Sequence, residues 1–369
     1  MQRLNPLDRL YLSRAYELAR RAAGNTSPNP MVGAVVVADG EIAGEGFHHR
    51  AGEPHAEVNA LEIAGERARG ATMYVSLEPC NHFGRTPPCA HAVVDAGISR
   101  VIVGALDPNP KTNLGGVAHL HEHGVAVEVA DDPEAQSLIE PFAAAIRSER
   151  PFVTLKMAVS LDGYVSSRSG KAQWLTGEEA RAFVRELRIE HDAVMVGAGT
   201  IRVDNSQLTV RPPHRRLHDY VRVVLCETDS VDPQSAVFDA QENYEKTIVM
   251  APAGAIERFR ALEANANLRA IGPDDSKELD LTAALRELRA AGISSVLCEG
   301  GPTFAGHLLA GGFVDRVHWL IAPRFLRSDT ALPALADGDL ASAVRGVRVD
   351  RVERLGPDTL ISGTIERNV

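Results

Sequence analysis

The sequence predicts an α/β protein of two domains, and three observations carry that expectation. Short, β-branched apolar runs recur along the chain, MVGAVVVA at 31–38 being the first; such runs suit buried strands. Segments of helical period lie between them. The length, 369 residues, is about two domains' worth at roughly 150 residues each. Strands alternating with helices pack as layers around a sheet.

The elements follow in order. Residues 10–21 have helical period, with Leu10, Arg14, Leu18 and Arg21 on one stripe and Leu12, Ala15, Tyr16 and Ala19 on another. Gly24 and Asn25 end that helix. After the strand at 31–38, the turn Asp39-Gly40 leads to a strand at 41–47. A helix is expected at 54–69 with Pro54 near its start, a strand at 72–77, a helix at 88–96 closed by Gly97, and a strand at 100–105. A helix at 117–123, a strand at 125–129 and one helix at 133–147 complete the first domain, 1–147. The charged link Arg147-Ser148-Glu149-Arg150 precedes Pro151 and the second domain, 151–369. There, strands are expected at 152–158, 193–196, 221–225, 246–250, 295–298, 314–321, 347–355 and 359–366. Helices are expected at 178–190, 281–290 and 302–310.

Composition narrows the function. Charged residues make up 24% and apolar residues 44%, and the net charge is −10, as in ordinary globular proteins. Residues 1–150 hold 13 Lys+Arg against 19 Asp+Glu. Neither half is basic, which argues against nucleic acid as a partner. No apolar run approaches the ~20 residues of a membrane span, and 1–10 lacks the apolar core of a signal peptide. Four cysteines make no disulfide scaffold, so a reduced, cytoplasmic setting is expected.

Eight of the thirteen histidines fall in residues 1–150, and there lies the strongest motif. His55-Ala56-Glu57, Pro79-Cys80 and Pro88-Cys89 offer one imidazole and two thiolates. Zinc takes such donors in a tetrahedron, and a catalytic site leaves the fourth position to water. Two thiolates neutralise the ion's charge, so deprotonating that water needs a base, and Glu57 can serve. Residues i and i+2 do not share a helix face; His55 and Glu57 converge only if Pro54 places them in an irregular first turn. Cys89, at the expected start of a helix, gains from the positive dipole end. The set matches the zinc-deaminase pattern. Its rival is a closed structural site with His82 or His91 as fourth ligand, in which Glu57 would be a solvated helix residue.

Local signals in the second half are weaker. Gly197-Ala198-Gly199 lacks the third glycine of a dinucleotide fingerprint. Glu299-Gly300-Gly301-Pro302-Thr303 follows a strand and opens a helix, where free backbone N–H groups can hold a diphosphate. Read alone, a pair of glycines before a helix is more often a tight turn than a phosphate site.

Residues 1–147 resemble the deaminase half of the bifunctional riboflavin-biosynthesis deaminase/reductase family. The resemblance rests on Pro28-Asn29-Pro30-Met31-Val32-Gly33, on Ala51-Gly52-Glu53-Pro54-His55-Ala56-Glu57, on LEPCNHFGRTPPC at 77–89 and on Asp107-Pro108-Asn109-Pro110. Eight residues separate the cysteines, as in this branch, not two as in cytidine and tRNA-type deaminases. The second half resembles the family's reductase at Leu155-Lys156, Ser160-Leu161-Asp162-Gly163, Gln173-Trp174, 199–204 and 208–211. Ala172 stands where many relatives carry a serine.

The resemblance implies a cytidine-deaminase-like three-layer α/β/α domain followed by a dihydrofolate-reductase-like α/β domain. It implies zinc, one per chain, on His55, Cys80 and Cys89, with Glu57 moving protons. The substrate would be 2,5-diamino-6-ribosylamino-4(3H)-pyrimidinone 5′-phosphate, first deaminated and then reduced with NADPH to the ribityl product. By position, Asn29, His48, Arg85 and Asn109 would line the deaminase pocket. Ala158, Trp174, Thr200, Asp204 and the run Gly301, Pro302, Thr303, Phe304, Ala305, Gly306 and His307 would touch NADPH. Arg188, Leu208, Arg211 and Glu299 would touch the reductase substrate, the two arginines as phosphate anchors. We expect a homo-oligomer, dimer or larger. Two other readings stay open: a nucleoside or RNA deaminase with an unrelated appended domain, and a non-catalytic protein stabilised by zinc.

Overall fold

The computed structural model describes residues 4–83, 87–110, 114–167, 175–210, 220–227, 231–239, 247–264, 266–327, 331–336 and 346–366. The chain divides into two compact units, Met1–Ser148 and Glu149–Val369. No helix among the described residues is long and apolar enough to cross a membrane.

The first unit begins with α1 (Pro6–Arg20), capped by the Asn5 side chain, which accepts from the Asp8 N–H. Next come β1 (Gly33–Ala38), β2 (Glu41–Phe47), α2 (Ala56–Ala64), β3 (Thr72–Leu77), α3 (Cys89–Asp95), β4 (Arg100–Ala105), α4 (Gly115–Glu122), β5 (Ala126–Val129), α5 (Pro133–Leu138) and α6 (Glu140–Arg147). The sheet order is β2-β1-β3-β4-β5. β1 is antiparallel to both β2 and β3, while β3, β4 and β5 run parallel.

Small residues set the layers. A Cβ on Gly33 would meet the Ala15 carbonyl oxygen at 2.1 Å, and one on Gly44 the Ala60 carbonyl oxygen at 2.2 Å. Gly44 lies opposite Val36, on the other face of β1 from Gly33, because successive residues alternate. α1 and α2 therefore press on opposite faces, and the unit is the expected α/β/α sandwich. Its core is Leu12, Tyr16, Val35, Met73, Val75, Ile102 and their neighbours.

The second unit carries β6 (Phe152–Ser160), β7 (Tyr164–Ser167), α7 (Glu178–Glu190), β8 (Ala193–Gly197), α8 (Ala198–Asp204), β9 (Val221–Leu225), β10 (Thr247–Pro252), β11 (Ala266–Ile271), α9 (Leu281–Ala290), β12 (Ser295–Cys298), α10 (Pro302–Ala310), β13 (Arg316–Ala322), β14 (Ala331–Pro333), β15 (Val347–Leu355) and β16 (Asp358–Ile365). Among the described residues nine strands form one sheet, β11-β10-β9-β8-β12-β6-β13-β16-β15, and β14 pairs with β7 in a second, two-stranded one. The large sheet is parallel except where β16 joins β13 and β15. Its central strands are sealed on both faces, which is why 193–196 reads as a continuous apolar run and 221–225 and 295–298 as apolar runs interrupted only by Arg222 and Ser295, both buried.

Several expectations need correction. The single helix at 133–147 is two, α5 and α6, with Ile139 at φ −108°, ψ 3° between them. Pro141 lacks the N–H that would carry the first helix through. The helix expected at 54–69 starts at Ala56, and its regular part stops where Gly65 turns to φ +54°, leaving a 3₁₀ turn at Gly65–Ala68. Leu10, placed on one stripe with Arg14, Leu18 and Arg21, is 62% exposed, whereas Leu18 is buried. The sequence reading missed α8, β7, β11 and β14. β11 is an edge strand in which Asn267 and Arg269 interrupt the apolar pattern, so pairing with β10 defines it, not hydrophobicity.

Candidate functional site

The first unit gathers its candidate residues where chain reversals meet. β3 ends at Leu77, and Glu78, Pro79 and Cys80 follow. Pro88 caps α3, so that Cys89 is its first residue. His55 is the N-cap of α2, held extended at φ −77°, ψ 167°. That extended residue next to Pro54 lets His55 and Glu57 converge although they are two apart. His55 Nδ1 lies 3.0 Å from Cys89 Sγ and 3.6 Å from Cys80 Sγ, and the sulfurs are 3.5 Å apart. Ligands bonded at about 2.1 and 2.3 Å to a tetrahedral zinc sit roughly 3.5 to 3.8 Å from one another; both distances from Cys80 match that spacing, while the His55–Cys89 pair is closer, and the donor types suit the ion.

Among the described residues this is the one group of three donors close enough to share a metal. His82 and His91 are not in it. His91 turns its Nε2 to Asn81 Oδ1 at 3.1 Å and stacks on His119, so the closed Cys₂His₂ arrangement is not what the fold builds.

The electrostatics match the donor chemistry. The Sγ–Sγ contact with Cys89, together with His55, draws the Cys80 thiol down against the cost of burial. Cys89 is pushed up in turn by the neighbouring Cys80 sulfur. The backbone N–H of Cys89 points at Cys80 Sγ, 3.3 Å away, so the start of α3 favours the Cys80 thiolate and not, as the sequence suggested, that of Cys89. Contact with Cys80 pushes His55 up. Glu57 is 3% exposed, and its Oε2 has no hydrogen-bond partner among the described residues. Burial raises its pKa to about 7, with His55 opposing. A sealed carboxylate oxygen without a partner beside three soft donors is what a proton carrier for a bound water requires.

Asn29 and His48 stand next to this group. The Pro54 carbonyl can only accept, so His48 Nδ1–H donates to it at 3.2 Å, and Nε2 accepts from Asn29 Nδ2 at 3.1 Å. Burial lowers the His48 pKa and keeps the ring neutral. Its edge meets the His55 ring at 5.1 Å. Asn109 sits on a turn closed by its own N–H to Asp107 Oδ1, 2.9 Å. Arg85 lies outside the described residues. The sequence reading missed Glu78, a buried carboxylate that accepts from the backbone N–H groups of Asp107, Leu114, Gly116 and Val117. Its only signal was an acidic residue closing an otherwise apolar strand.

In the second unit, Thr200 in α8 and Gly301, the N-cap of α10, come together: the Gly301 N–H donates to Thr200 Oγ1 at 3.1 Å. Ala305 and Gly306 are turned into the core, while Thr303 and His307 are exposed. Ala158 is half-buried on β6. Leu208 is buried at φ +54°. Arg188 is bidentate on Glu299, Nε to Oε1 at 2.5 Å and Nη2 to Oε2 at 3.1 Å, and also donates to the Thr209 carbonyl at 2.8 Å. Lys156, which the sequence left without a role, lies 3.6 Å from Glu299 and acts electrostatically on Asp204. Burial would push Glu299 up, but Arg188 and Lys156 outweigh it and hold it near 2. Trp174, Arg211 and Ala172 lie outside the described residues.

Residues 151–361 match the family model of the RibD C-terminal domain, and residues 6–105 match that of the cytidine and deoxycytidylate deaminase zinc-binding region. The chain is 38% identical over 361 residues to the riboflavin biosynthesis protein RibD of Aquifex aeolicus, covering 97% of this chain and 98% of that one. Identity to the Escherichia coli protein is also 38%, over 370 residues and 96% and 98% of the two chains. Among solved structures, form 1 of Acinetobacter baumannii RibD superposes with TM-score 0.80 at 35% identity over 98% and 99% of the chains. A Thermotoga maritima diaminohydroxyphosphoribosylaminopyrimidine deaminase/5-amino-6-(5-phosphoribosylamino)uracil reductase gives 0.81 at 34% identity over 97% and 99%.

Proposed function

The chain belongs to the bifunctional deaminase/reductase family of riboflavin biosynthesis, and from that premise we propose how its two halves divide the work. The first unit hydrolytically deaminates 2,5-diamino-6-ribosylamino-4(3H)-pyrimidinone 5′-phosphate. The second then reduces the ribosyl chain to ribityl with NADPH. The observation that carries the proposal is the sealed Glu57, its Oε2 unpartnered, beside His55, Cys80 and Cys89.

Those three residues would hold zinc, which when bound supplies a Lewis acid that makes water acidic near neutrality. The rest falls to the chain. Glu57, with a pKa near 7, can take one proton from water and pass it to the ring nitrogen, then take the second from the hydroxyl left on the ring carbon and give it to the amino group, which departs as ammonia when the C–N bond breaks. His48, neutral and anchored on the Pro54 carbonyl, fixes the Asn29 amide by its Nδ2, which leaves the Asn29 carbonyl oxygen for a ring N–H. Asn109 and Arg85 would complete the grip on the base and the phosphate.

For the reductase, NADPH when bound supplies the hydride. Thr200 and the exposed residues at the start of α10 would cradle its phosphates, with Ala158, Trp174 and Asp204 around the remainder. Arg188, Leu208, Arg211 and Glu299 would touch the substrate, Arg188 from within a fixed ion cluster with Glu299 and Lys156. A homo-oligomeric, cytoplasmic enzyme belongs to the same proposal. Incubation with the diaminopyrimidinone phosphate, with and without NADPH, tests it when ammonia and NADPH oxidation are read separately. Ammonia should appear in both samples and oxidation only after it; no ammonia in either would end the reading.

A further inference from the structure

Glu78 is the most heavily used acceptor near the zinc donors, and no step of the chemistry above requires it. It stands two residues before Cys80, and its own N–H continues the β3–β4 pairing to the Ala105 carbonyl at 2.9 Å. Its side chain is 4% exposed. Oε1 accepts from the N–H groups of Gly116 and Val117 at 3.1 and 3.2 Å, and Oε2 from those of Leu114 and Asp107 at 3.1 and 3.2 Å.

Three of these donors belong to the start of α4. The first N–H groups of a helix have no partner within it, and the N-cap here is Leu114, at φ +61° with no side-chain bond to offer. Glu78 supplies from another element what the local sequence lacks. α4 also comes very close: a Cβ on Gly116 would meet the Pro79 carbonyl oxygen at 1.8 Å. The fourth donor, Asp107, closes the turn that presents Asn109. One carboxylate thus ties the segment bearing the ligand Cys80 to the turn bearing a candidate substrate contact.

We propose that Glu78 is a positioning residue that fixes the distance between Cys80 and Asn109, and so governs substrate affinity without touching metal or substrate. This rests on reading the first unit as the deaminase. Glu78→Gln tests it. The amide keeps one oxygen, but its NH₂ must face two N–H donors, so two of the four bonds are lost. The expected result is a KM for the diaminopyrimidinone phosphate raised about tenfold. The kcat should fall less, zinc should stay at one per chain, and the visible spectrum of the cobalt-substituted protein should be unchanged. Asn109→Ala should raise KM as well, and the double variant should be no worse than the worse single one, because both act through one contact.

A wild-type KM in Glu78→Gln overturns the proposal. So does zinc lost together with kcat at constant KM, and so does a double variant whose losses multiply. If Glu78→Gln does not accumulate folded, Gly116→Ala reads the same coupling by forcing α4 off Pro79, and a wild-type KM there overturns it equally. Wild-type enzyme that releases no ammonia from this substrate would instead remove the deaminase reading, and the proposal with it.

Discussion

The two candidate sites differ in how their parts are spread along the chain. In the first unit the three candidate metal donors, His55, Cys80 and Cys89, and Glu57 all fall within residues 55–89, and the atoms of the three donors lie within 4.8 Å of one another. In the second, the cluster runs from Lys156 through Arg188 and Thr200 to Glu299 and Gly301, and its members make structural bonds to each other. A metal needs specific atoms at bonding distance, which restricts residue type and leaves short, recognisable motifs. A dinucleotide is held largely by backbone N–H groups and shape, which many sequences provide.

That contrast predicts a steep response in the first unit and a graded one in the second. The largest effect is expected from Cys80→Ser or Cys89→Ser, which should lose zinc and deamination together while reduction of supplied deaminated intermediate continues. Metal analysis beside the two assays reads this, and stoichiometric zinc in both variants would refute the ligand set. Glu57→Gln should keep zinc yet slow deamination by about 10⁴ or more, the upper end for a general acid–base residue. Deamination within tenfold of wild type would remove Glu57 from the mechanism.

In the second unit, Arg188→Ala leaves the Glu299 carboxylate buried with only Lys156 near. Breaking such a pair costs about 3–5 kcal/mol, and the remaining lysine argues for the lower end, about 3. Chemical denaturation should show that loss in the second unit's transition alone. Its pH dependence has a definite sign. The folded pKa of Glu299, about 2, lies below the ordinary 4.5, so its stabilising contribution is complete above about 4.5 and fades as pH falls toward 2. The gap between wild type and variant should close over that window; a gap constant from pH 6 to pH 2 would show that the ion cluster is not its source. The smallest effect belongs to Thr200→Val, which removes one acceptor from the Gly301 N–H. At about 1 kcal/mol, the KM for NADPH should rise roughly fivefold with deamination untouched, and an unchanged KM would place the cofactor elsewhere.

Much of this was legible in advance. The strands at Thr72–Leu77, Arg100–Ala105, Val221–Leu225 and Ser295–Cys298 and the helices Glu178–Glu190, Leu281–Ala290 and Pro302–Ala310 have the bounds expected, because each is a buried run or an amphipathic stretch with clear stops. β11 and β14 were not legible, since edge strands owe their existence to a neighbour more than to their own pattern. The split of 133–147 at Ile139 was within reach, as Pro141 was in plain view.

The sequence by itself determined which atoms can bind zinc, because imidazole and thiolate donors are side-chain chemistry, and it determined that a carboxylate accompanies them. Tertiary structure alone decided that His91 stacks on His119 and stays out of the donor set, that the start of α3 serves Cys80 and not Cys89, and that Arg188 is engaged by Glu299 across 111 residues of chain. It also decided that Glu78 caps a helix to which it does not belong. The reason is common to all four. A ring, a backbone N–H or a charged group takes whichever partner the fold brings into contact, and no local pattern records that meeting.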